Sequence, residues 1–100
     1  MHIIKKQSLK EFWEKHKDSE QQLKAWHSDV EKANWQNFND LKADYSTAKV
    51  IGNNRAIFKI KGNAYRLIAK ISFLYQKCYI KFVGTHAEYD KVDAETVDNY

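Results

Sequence analysis

The second half of the chain contains three segments in which apolar and polar residues alternate, the pattern of half-buried β-strands. These segments are residues 55–61 (RAIFKIK), 64–73 (AYRLIAKISF) and 77–83 (KCYIKFV). Gly62-Asn63 separates the first two, and because both residue types tolerate the positive φ of tight turns, a β-hairpin is predicted there. Leu74-Tyr75-Gln76 separates the second segment from the third. Three antiparallel strands are therefore expected at the centre of the fold.

Two start signals for α-helices precede these strands. Ser8 with Glu11, and Ser19 with Gln22, each match the capping box, in which two side chains three positions apart bond each other's backbone. Apolar and aromatic residues then recur at helical spacing: Leu9, Phe12, Trp13 and His16 after the first signal, and Leu23, Trp26, His27 and Val30 after the second. Two helices joined by a short turn are predicted, with Trp13 and Trp26 facing the core.

The remaining segments carry weaker patterns. Residues 2–6 (HIIKK) favour a short strand, and the second helix is expected to end near Asn34. A short helix around Leu41 and a strand near Val50 are predicted for the segment before the hairpin. After Gly84 the acid-rich tail is expected either to form a short helix or to fray.

Together these elements predict one α+β domain that spans residues 1–100. A chain of this length suffices for a single hydrophobic core. The expected architecture is a small twisted antiparallel β-sheet, with the N-terminal helical hairpin packed on one face.

Composition limits the classes of protein to which the chain can belong. No apolar run approaches the roughly 18 residues of a membrane span, and the opening MHIIKKQSLKEFW lacks the apolar core of a signal peptide. The single cysteine, Cys78, forms neither an internal disulfide nor a Cys-rich zinc site, which fits a reducing compartment. His2, His16 and His27 pair with no carboxylate at metal-ligand spacing. We therefore expect a cytoplasmic protein that has no membrane partner, no metal and no cofactor.

The charges are segregated along the chain. All 13 acidic residues lie before position 45 or after position 87, whereas eight Lys or Arg residues lie between Tyr45 and Ala87. A soluble surface usually mixes both signs. Such an acid-free basic block indicates a phosphate-rich partner, with a merely solvated face as the weaker interpretation.

The hairpin register predicts where these cations lie. A turn at Gly62-Asn63 pairs Lys59 with Arg66 and Arg55 with Lys70 on one face of the sheet. A second turn within residues 74–77 places Lys70 opposite Lys81 and Arg66 opposite Thr85. Like charges directly opposite each other destabilise a sheet by roughly 0.2–1 kcal/mol per pair, so an anionic ligand would explain this cationic face.

The third strand brings further chemistry to the edge of this face. It is expected to deliver His86 next to Arg66, with Tyr89 one short turn further on. Histidine acts as a general acid or base near neutral pH, and arginine clamps a phosphate and stabilises its transition state. Tyrosine stacks on a base or orients the attacking 2′-hydroxyl. This set of residues suits the cleavage of RNA without a metal.

These residues also carry a resemblance to a known family. The stretch NAYRLIAKISF (63–73), followed by CYIKFVGTHAEYDKVDAETV (78–97), resembles the HigB branch of the RelE-like toxins. Members of that family are bacterial mRNA interferases of type II toxin–antitoxin pairs. The resemblance implies an RNase that cuts mRNA, typically in the ribosomal A site, works without a bound metal, and is held inactive by a HigA-type antitoxin.

The resemblance also implies roles for individual residues. Arg66 matches the phosphate-clamping arginine, Lys59 and Lys61 match basic residues of the preceding strand, and Tyr89 matches the tyrosine that orients or stacks on substrate. His86 stands where many relatives carry arginine, so whether it is the acid, the base or both in turn is left open. For Asp90 two roles are open, orienting His86 or capping the last turn.

Catalytic residues and RNA-binding residues are thus predicted separately. The catalytic set is Arg66, His86 and Tyr89, and the RNA-binding set is Lys59, Lys61, Lys70, Lys81 and Arg55. The main rival function is a non-catalytic RNA- or DNA-binding module that uses the same basic face. A metal-dependent nuclease is disfavoured by the acid-free basic block.

Overall fold

The centre of the fold is a five-stranded sheet in the order β1-β5-β4-β3-β2. The computed structural model describes all residues from Met1 to Tyr100. The strands are β1 (His2–Ile4), β2 (Lys49–Ile51), β3 (Arg55–Ile60), β4 (Tyr65–Ser72) and β5 (Lys77–Thr85). Strands β2 to β5 are antiparallel neighbours, whereas β1 runs parallel to β5. The α+β class is confirmed, but the sheet is mixed and not purely antiparallel, because β1 joins the edge of a strand far away in the sequence.

Helices cover one face of this sheet. They are α1 (Gln7–Lys15), α2 (Glu20–Lys32) and α3 (Phe38–Asp44), with one turn of 3-10 helix, Lys17–Ser19, between the first two. The predicted helical hairpin, the short helix around Leu41 and the strand near Val50 are confirmed. No helix is long and apolar enough to cross a bilayer.

The two predicted serine capping boxes are absent. Ser8 lies inside α1 and donates its hydroxyl to the Lys5 carbonyl at 2.6 Å, and Ser19 donates to the His16 carbonyl at 2.7 Å. Each hydroxyl thus satisfies a carbonyl in the turn that leads into a helix and does not cap a helix N–H. The positions of the helix starts are nevertheless close to those predicted.

The main core lies between the sheet and the helices. Trp26 and Phe58 are fully buried there with ring centroids 5.3 Å apart, as the helical spacing predicts for Trp26. Trp13 is only half-buried, beneath the ammonium group of Lys24 at 5.4 Å. Cys78 is also fully buried, and its burial raises the pKa of the thiol to about 12. The thiol is therefore neutral and packs as an apolar group.

A second, smaller core lies on the opposite face of the sheet. Ile57, Ile68 and Phe82 are buried there beneath the chain that follows β5, which contributes Tyr89, Val92, Ala94 and Val97. Residues 91–100, which we call the strap, cross the middle of this face. The acid-rich tail therefore forms a short helix, α4 (His86–Tyr89), and then packs against the sheet.

A β-bulge changes the predicted register of β4 and β5. The pairing shifts between Ile68 and Ala69, which leaves Lys81 as the extra residue on β5. The predicted pairing of Lys70 with Lys81 is therefore wrong, and Lys70 lies opposite Tyr79.

The pairing near the end of β5 differs as well. Arg66 lies opposite Gly84, and Thr85 lies opposite Tyr65, so the predicted Arg66–Thr85 pair is wrong. The loop between the strands occupies residues 73–76, because Ser72 already pairs with Lys77. By contrast, every predicted pair between β3 and β4 is confirmed.

Candidate active site

Arg66 is a nearly buried cation at one end of β4. It is 7 % exposed, and it donates to the Asn63 carbonyl at 3.1 Å, the Asn63 side-chain oxygen at 3.3 Å and the Tyr65 carbonyl at 3.3 Å. No carboxylate lies within ion-pair distance of it. These neutral oxygens hold the guanidinium in place without neutralising its charge, which stays available to an anionic ligand.

Gly84, opposite Arg66, makes close packing possible at this point. A Cβ atom on Gly84 would lie 2.6 Å from the tip of the Phe82 ring, so only glycine leaves room for that ring. The tip of the Phe82 ring, which belongs to the second core, therefore lies at the strand position opposite Arg66.

Helix α4 is short but strongly anchored. Thr85 and Glu88 form a capping box: the Glu88 amide donates to the Thr85 hydroxyl at 3.2 Å, and the Thr85 amide donates to the Glu88 carboxylate at 2.9 Å. The bond from the Thr85 amide holds the pKa of Glu88 below its ordinary value. The His86 amide also donates to the Ala64 carbonyl at 3.0 Å. A helix of four residues would not persist alone, so these bonds set its position beside β4.

The helix presents His86 and Tyr89 to Arg66. The guanidinium carbon of Arg66 lies 5.6 Å from the centroid of the Tyr89 ring, which is cation–π distance. The ring centroids of His86 and Tyr89 are 6.4 Å apart. The three residues of the predicted catalytic set therefore lie together at one end of the sheet.

Asp90 orients His86. Its carboxylate lies 3.1 Å from Nδ1 of His86, and its backbone amide donates to the His86 carbonyl at 3.0 Å. In the structure Asp90 thus fills both positions that were considered for it, the partner of His86 and the cap of the last turn. With the proton on Nδ1, the Nε2 atom of the half-exposed imidazole is free to exchange a proton with a ligand.

Two predicted RNA-binding lysines belong to this end of the sheet. Lys59 is exposed and lies opposite Arg66, and Lys61 is exposed in the turn that follows. The Lys61 amide is bonded to the side chain of Gln22, which ties this turn to α2. Lys59 also borders a shallow cavity of about 300 Å³ together with Gly62 and Asn63.

The other predicted RNA-binding residues lie away from this site. Lys70 is four residues from Arg66 along β4, about 13 Å at the rise of a strand. Lys81 forms an ion pair with Asp98 of the strap at 3.1 Å. Arg55 is only 5 % exposed, and it donates to the carbonyls of Ala94 and Val97 at 3.1 and 2.6 Å. The expectation that Arg55 lies on an open cationic face is therefore wrong, because the strap covers it.

The sequence interpretation missed two features of the site. Asn63, a turn residue and the first residue of the stretch 63–73, was given no role at the site, but it holds the guanidinium of Arg66. The capping box of Thr85 and Glu88 was overlooked, although its T-x-x-E spacing is the same signal that was sought at Ser8 and Ser19. No group of three or more His, Cys, Asp or Glu side chains is placed to hold a metal ion.

Comparison with known proteins identifies the family of the chain. Residues 19–92 match the model of the HigB toxin family, described as the RelE-like toxic component of a toxin–antitoxin system. The chain is 33 % identical over 92 residues to the "mRNA interferase toxin HigB" of Escherichia coli (strain K12), covering 90 % of this chain and 88 % of that protein. The "mRNA interferase HigB" proteins of Escherichia coli O157:H7 and Shigella flexneri show the same identity and coverage. The resemblance carried by residues 63–73 and 78–97 is thereby confirmed, and the chain belongs to the HigB family of RelE-like toxins.

Proposed function

We propose that this protein is an endonuclease that cleaves mRNA by attack of a ribose 2′-hydroxyl on the adjacent 3′-phosphate. The observation that carries the proposal is the convergence of Arg66, Tyr89 and the His86–Asp90 pair at one end of the sheet. The relatives named mRNA interferases support it as well.

In the proposed reaction the 2′-oxygen forms a bond to phosphorus and the bond from phosphorus to the 5′-oxygen breaks. The 2′-hydroxyl loses a proton to a base, and the leaving 5′-oxygen gains one from an acid. The products are a 2′,3′-cyclic phosphate and a 5′-hydroxyl. No oxidant, reductant or water is consumed in this step.

Arg66 is proposed to bind the scissile phosphate. Its guanidinium is fixed by neutral oxygens and has no carboxylate partner, so its charge acts on the phosphate oxygens as they become more negative in the transition state. Lys59 and Lys61 add positive charge for the neighbouring phosphates.

His86 is proposed to transfer a proton at Nε2, held in the required orientation by Asp90. The geometry is compatible with His86 as the acid, the base or both in turn. Tyr89 is proposed to place the nucleotide beside Arg66, by stacking on its base or by orienting the 2′-hydroxyl.

The proposed partners are a HigA-type antitoxin and the ribosome, with cleavage in the ribosomal A site. Membership in a family of toxin–antitoxin components supports an antitoxin partner. Ribosome dependence is tested by comparing cleavage of one mRNA with and without its ribosome-binding site. Equal cleavage of both messages would instead show that the enzyme acts on free RNA.

The experiment that tests the proposed function is induced expression of the wild type beside His86→Ala, with growth and mRNA 5′ ends followed together. We expect the wild type to stop growth and to create new 5′ ends inside coding regions, and the folded variant to do neither. If both proteins bind RNA and neither cleaves it, the rival function, a non-catalytic RNA- or DNA-binding module, is the correct one.

A further inference from the structure

The strap divides the predicted basic face into two separate patches. One patch is the candidate active site around Arg66. The other, which we call the distal patch, lies beyond the strap and consists of Asn54, Lys70, Ser72 and Tyr79. The sequence predicted one continuous cationic face, whereas in the structure the strap separates the distal patch from Arg66.

We propose that the distal patch binds a second nucleotide of the RNA strand that is cleaved at the candidate active site. This inference rests on the proposed function and specifies a subsite of it. The ring of Tyr79 and the amide of Asn54 would recognise the base of that nucleotide, and Lys70 would bind its phosphate.

The shape of the distal patch suits a nucleobase. The patch borders a shallow cavity of about 350 Å³ whose walls also include Ile71, Phe73 and Leu74. Tyr79 lies opposite Lys70 on the strap side of the sheet and is partly buried, with the Lys81 ammonium group 5.8 Å from the centre of its ring. An aromatic face beside apolar side chains and an exposed asparagine amide offers both stacking and hydrogen bonding to a base.

The charge of the distal patch suits a phosphate. Lys70 is exposed and lies opposite Arg55, whose Nε atom is buried without a hydrogen-bond partner. Neither cation has a carboxylate within ion-pair distance, and no acidic residue lines the cavity. Asp98 of the strap forms its ion pair with Lys81. The buried guanidinium of Arg55, bonded to the carbonyls of Ala94 and Val97 and to no carboxylate, therefore adds positive charge beside Lys70.

The distal patch is close enough to Arg66 for one strand of RNA to contact both. Lys70 and Arg66 lie on the same face of β4, about 13 Å apart at the rise of a strand. A few nucleotides of extended RNA span that separation. A strand that places its scissile phosphate on Arg66 would cross the strap and reach Tyr79.

An exposed apolar side chain in the cavity wall favours RNA over a small anion. Leu74, which lines the cavity together with Lys70, is 83 % exposed. Interleaved aromatic and basic side chains are typical of surfaces that bind single-stranded nucleic acid. A free phosphate ion would not need the apolar side of the cavity.

The test uses 2′-O-methyl RNA oligonucleotides of mixed sequence, which lack the attacking hydroxyl and so are not cleaved. Binding of a short and a long oligonucleotide to the full chain is measured by fluorescence anisotropy at low salt. We expect Tyr79→Leu and Lys70→Gln to weaken binding of the long oligonucleotide about tenfold and to leave binding of the short one unchanged. Tyr75→Leu, in the same loop region but outside the cavity lining, is the matched control and should change neither.

Three results would overturn the subsite. Equal affinity of Tyr79→Leu and wild type for the long oligonucleotide would remove the stacking role, and an equal loss for both lengths would place Tyr79 at the main site or in folding. If the variants instead lose binding to the antitoxin alone, the distal patch is a protein-docking surface. Cleavage of unmodified RNA by the wild type is measured in parallel. Absence of cleavage would contradict the proposed function, whereas unchanged binding by the variants would contradict only the subsite.

Discussion

The guanidinium carbon of Arg66 lies 5.6 Å from the centre of the Tyr89 ring, although the two residues belong to different elements. The strand β4 carries the cation and the short helix α4 carries the ring. The Thr85–Glu88 capping box and the bond from His86 to Ala64 keep the two elements in contact. This contact places a fixed cation beside an aromatic ring, the two groups through which we propose that the site binds a nucleotide.

Replacing Arg66 should abolish cleavage and leave the fold intact. In Arg66→Lys the charge remains but the two-pronged geometry of the guanidinium is lost, so we expect the cleavage rate to fall by roughly 10²- to 10³-fold. Cleavage of a defined mRNA and growth after induction measure the effect, and circular dichroism checks the fold. Lys32→Ala, an exposed lysine at the end of α2 on the helix-covered side of the sheet, is the control. Wild-type cleavage by Arg66→Lys would show that the guanidinium does not bind the scissile phosphate.

Replacing His86 should remove proton transfer. For His86→Ala we expect a loss of roughly 10²- to 10⁴-fold in the cleavage rate, the usual contribution of general acid–base catalysis. Because the side chain is half-exposed, added imidazole should restore part of the activity. Asp90→Asn, which keeps a polar partner for Nδ1 but removes the charge, should cause a smaller loss. A loss in His86→Ala that imidazole leaves unchanged, together with a lowered melting temperature, would indicate a structural role.

Removing the strap should destabilise the protein. Deletion of residues 91–100 exposes Ile57, Ile68 and Phe82, and burial of each such side chain contributes about 1.5–3 kcal/mol. We therefore expect the free energy of unfolding to fall by several kcal/mol, measured by urea denaturation. Glu95→Ala, an exposed position within the strap, should change the unfolding free energy by less than about 0.5 kcal/mol. A deletion variant as stable as wild type would show that the second core does not contribute to stability.

The thiol of Cys78 should be protected until the protein unfolds. Burial raises its pKa from 9.0 to about 12, so the folded state keeps the proton where the unfolded state loses it. The contribution of the Cys78 thiol to the free energy of unfolding is therefore fully present below about pH 9. As the pH rises towards 12, this contribution is lost by about 1.4 kcal/mol per pH unit. Native protein at pH 8 should therefore not react with a thiol reagent, and urea should expose one reactive thiol. Cys78→Ala should show a shallower loss of stability above pH 9, and an identical slope would contradict the assignment.

Most of the secondary structure could be predicted because its signals are local. The alternation of residues 55–61 and 64–73 and the Gly62-Asn63 turn determined the register of β3 and β4, which the structure confirms pair by pair. The predicted register of β4 and β5, although one residue off at Arg66, also indicated that His86 and Tyr89 would lie beside Arg66. The alternating period and the turn chemistry are properties of neighbouring residues, and no distant contact is needed to interpret them.

The sequence by itself determined the α+β class, the β3–β4 hairpin and the family. Only the tertiary structure decided that β1 lies parallel to β5, that a bulge displaces Lys81, and that the strap buries Arg55. These features depend on packing between segments far apart in the chain. The strap covers the sheet because it buries Ile57, Ile68 and Phe82, and burial of such apolar side chains is favourable. The alternation of apolar and polar residues within one strand does not reveal which distant segment will cover the face of the sheet opposite the helices.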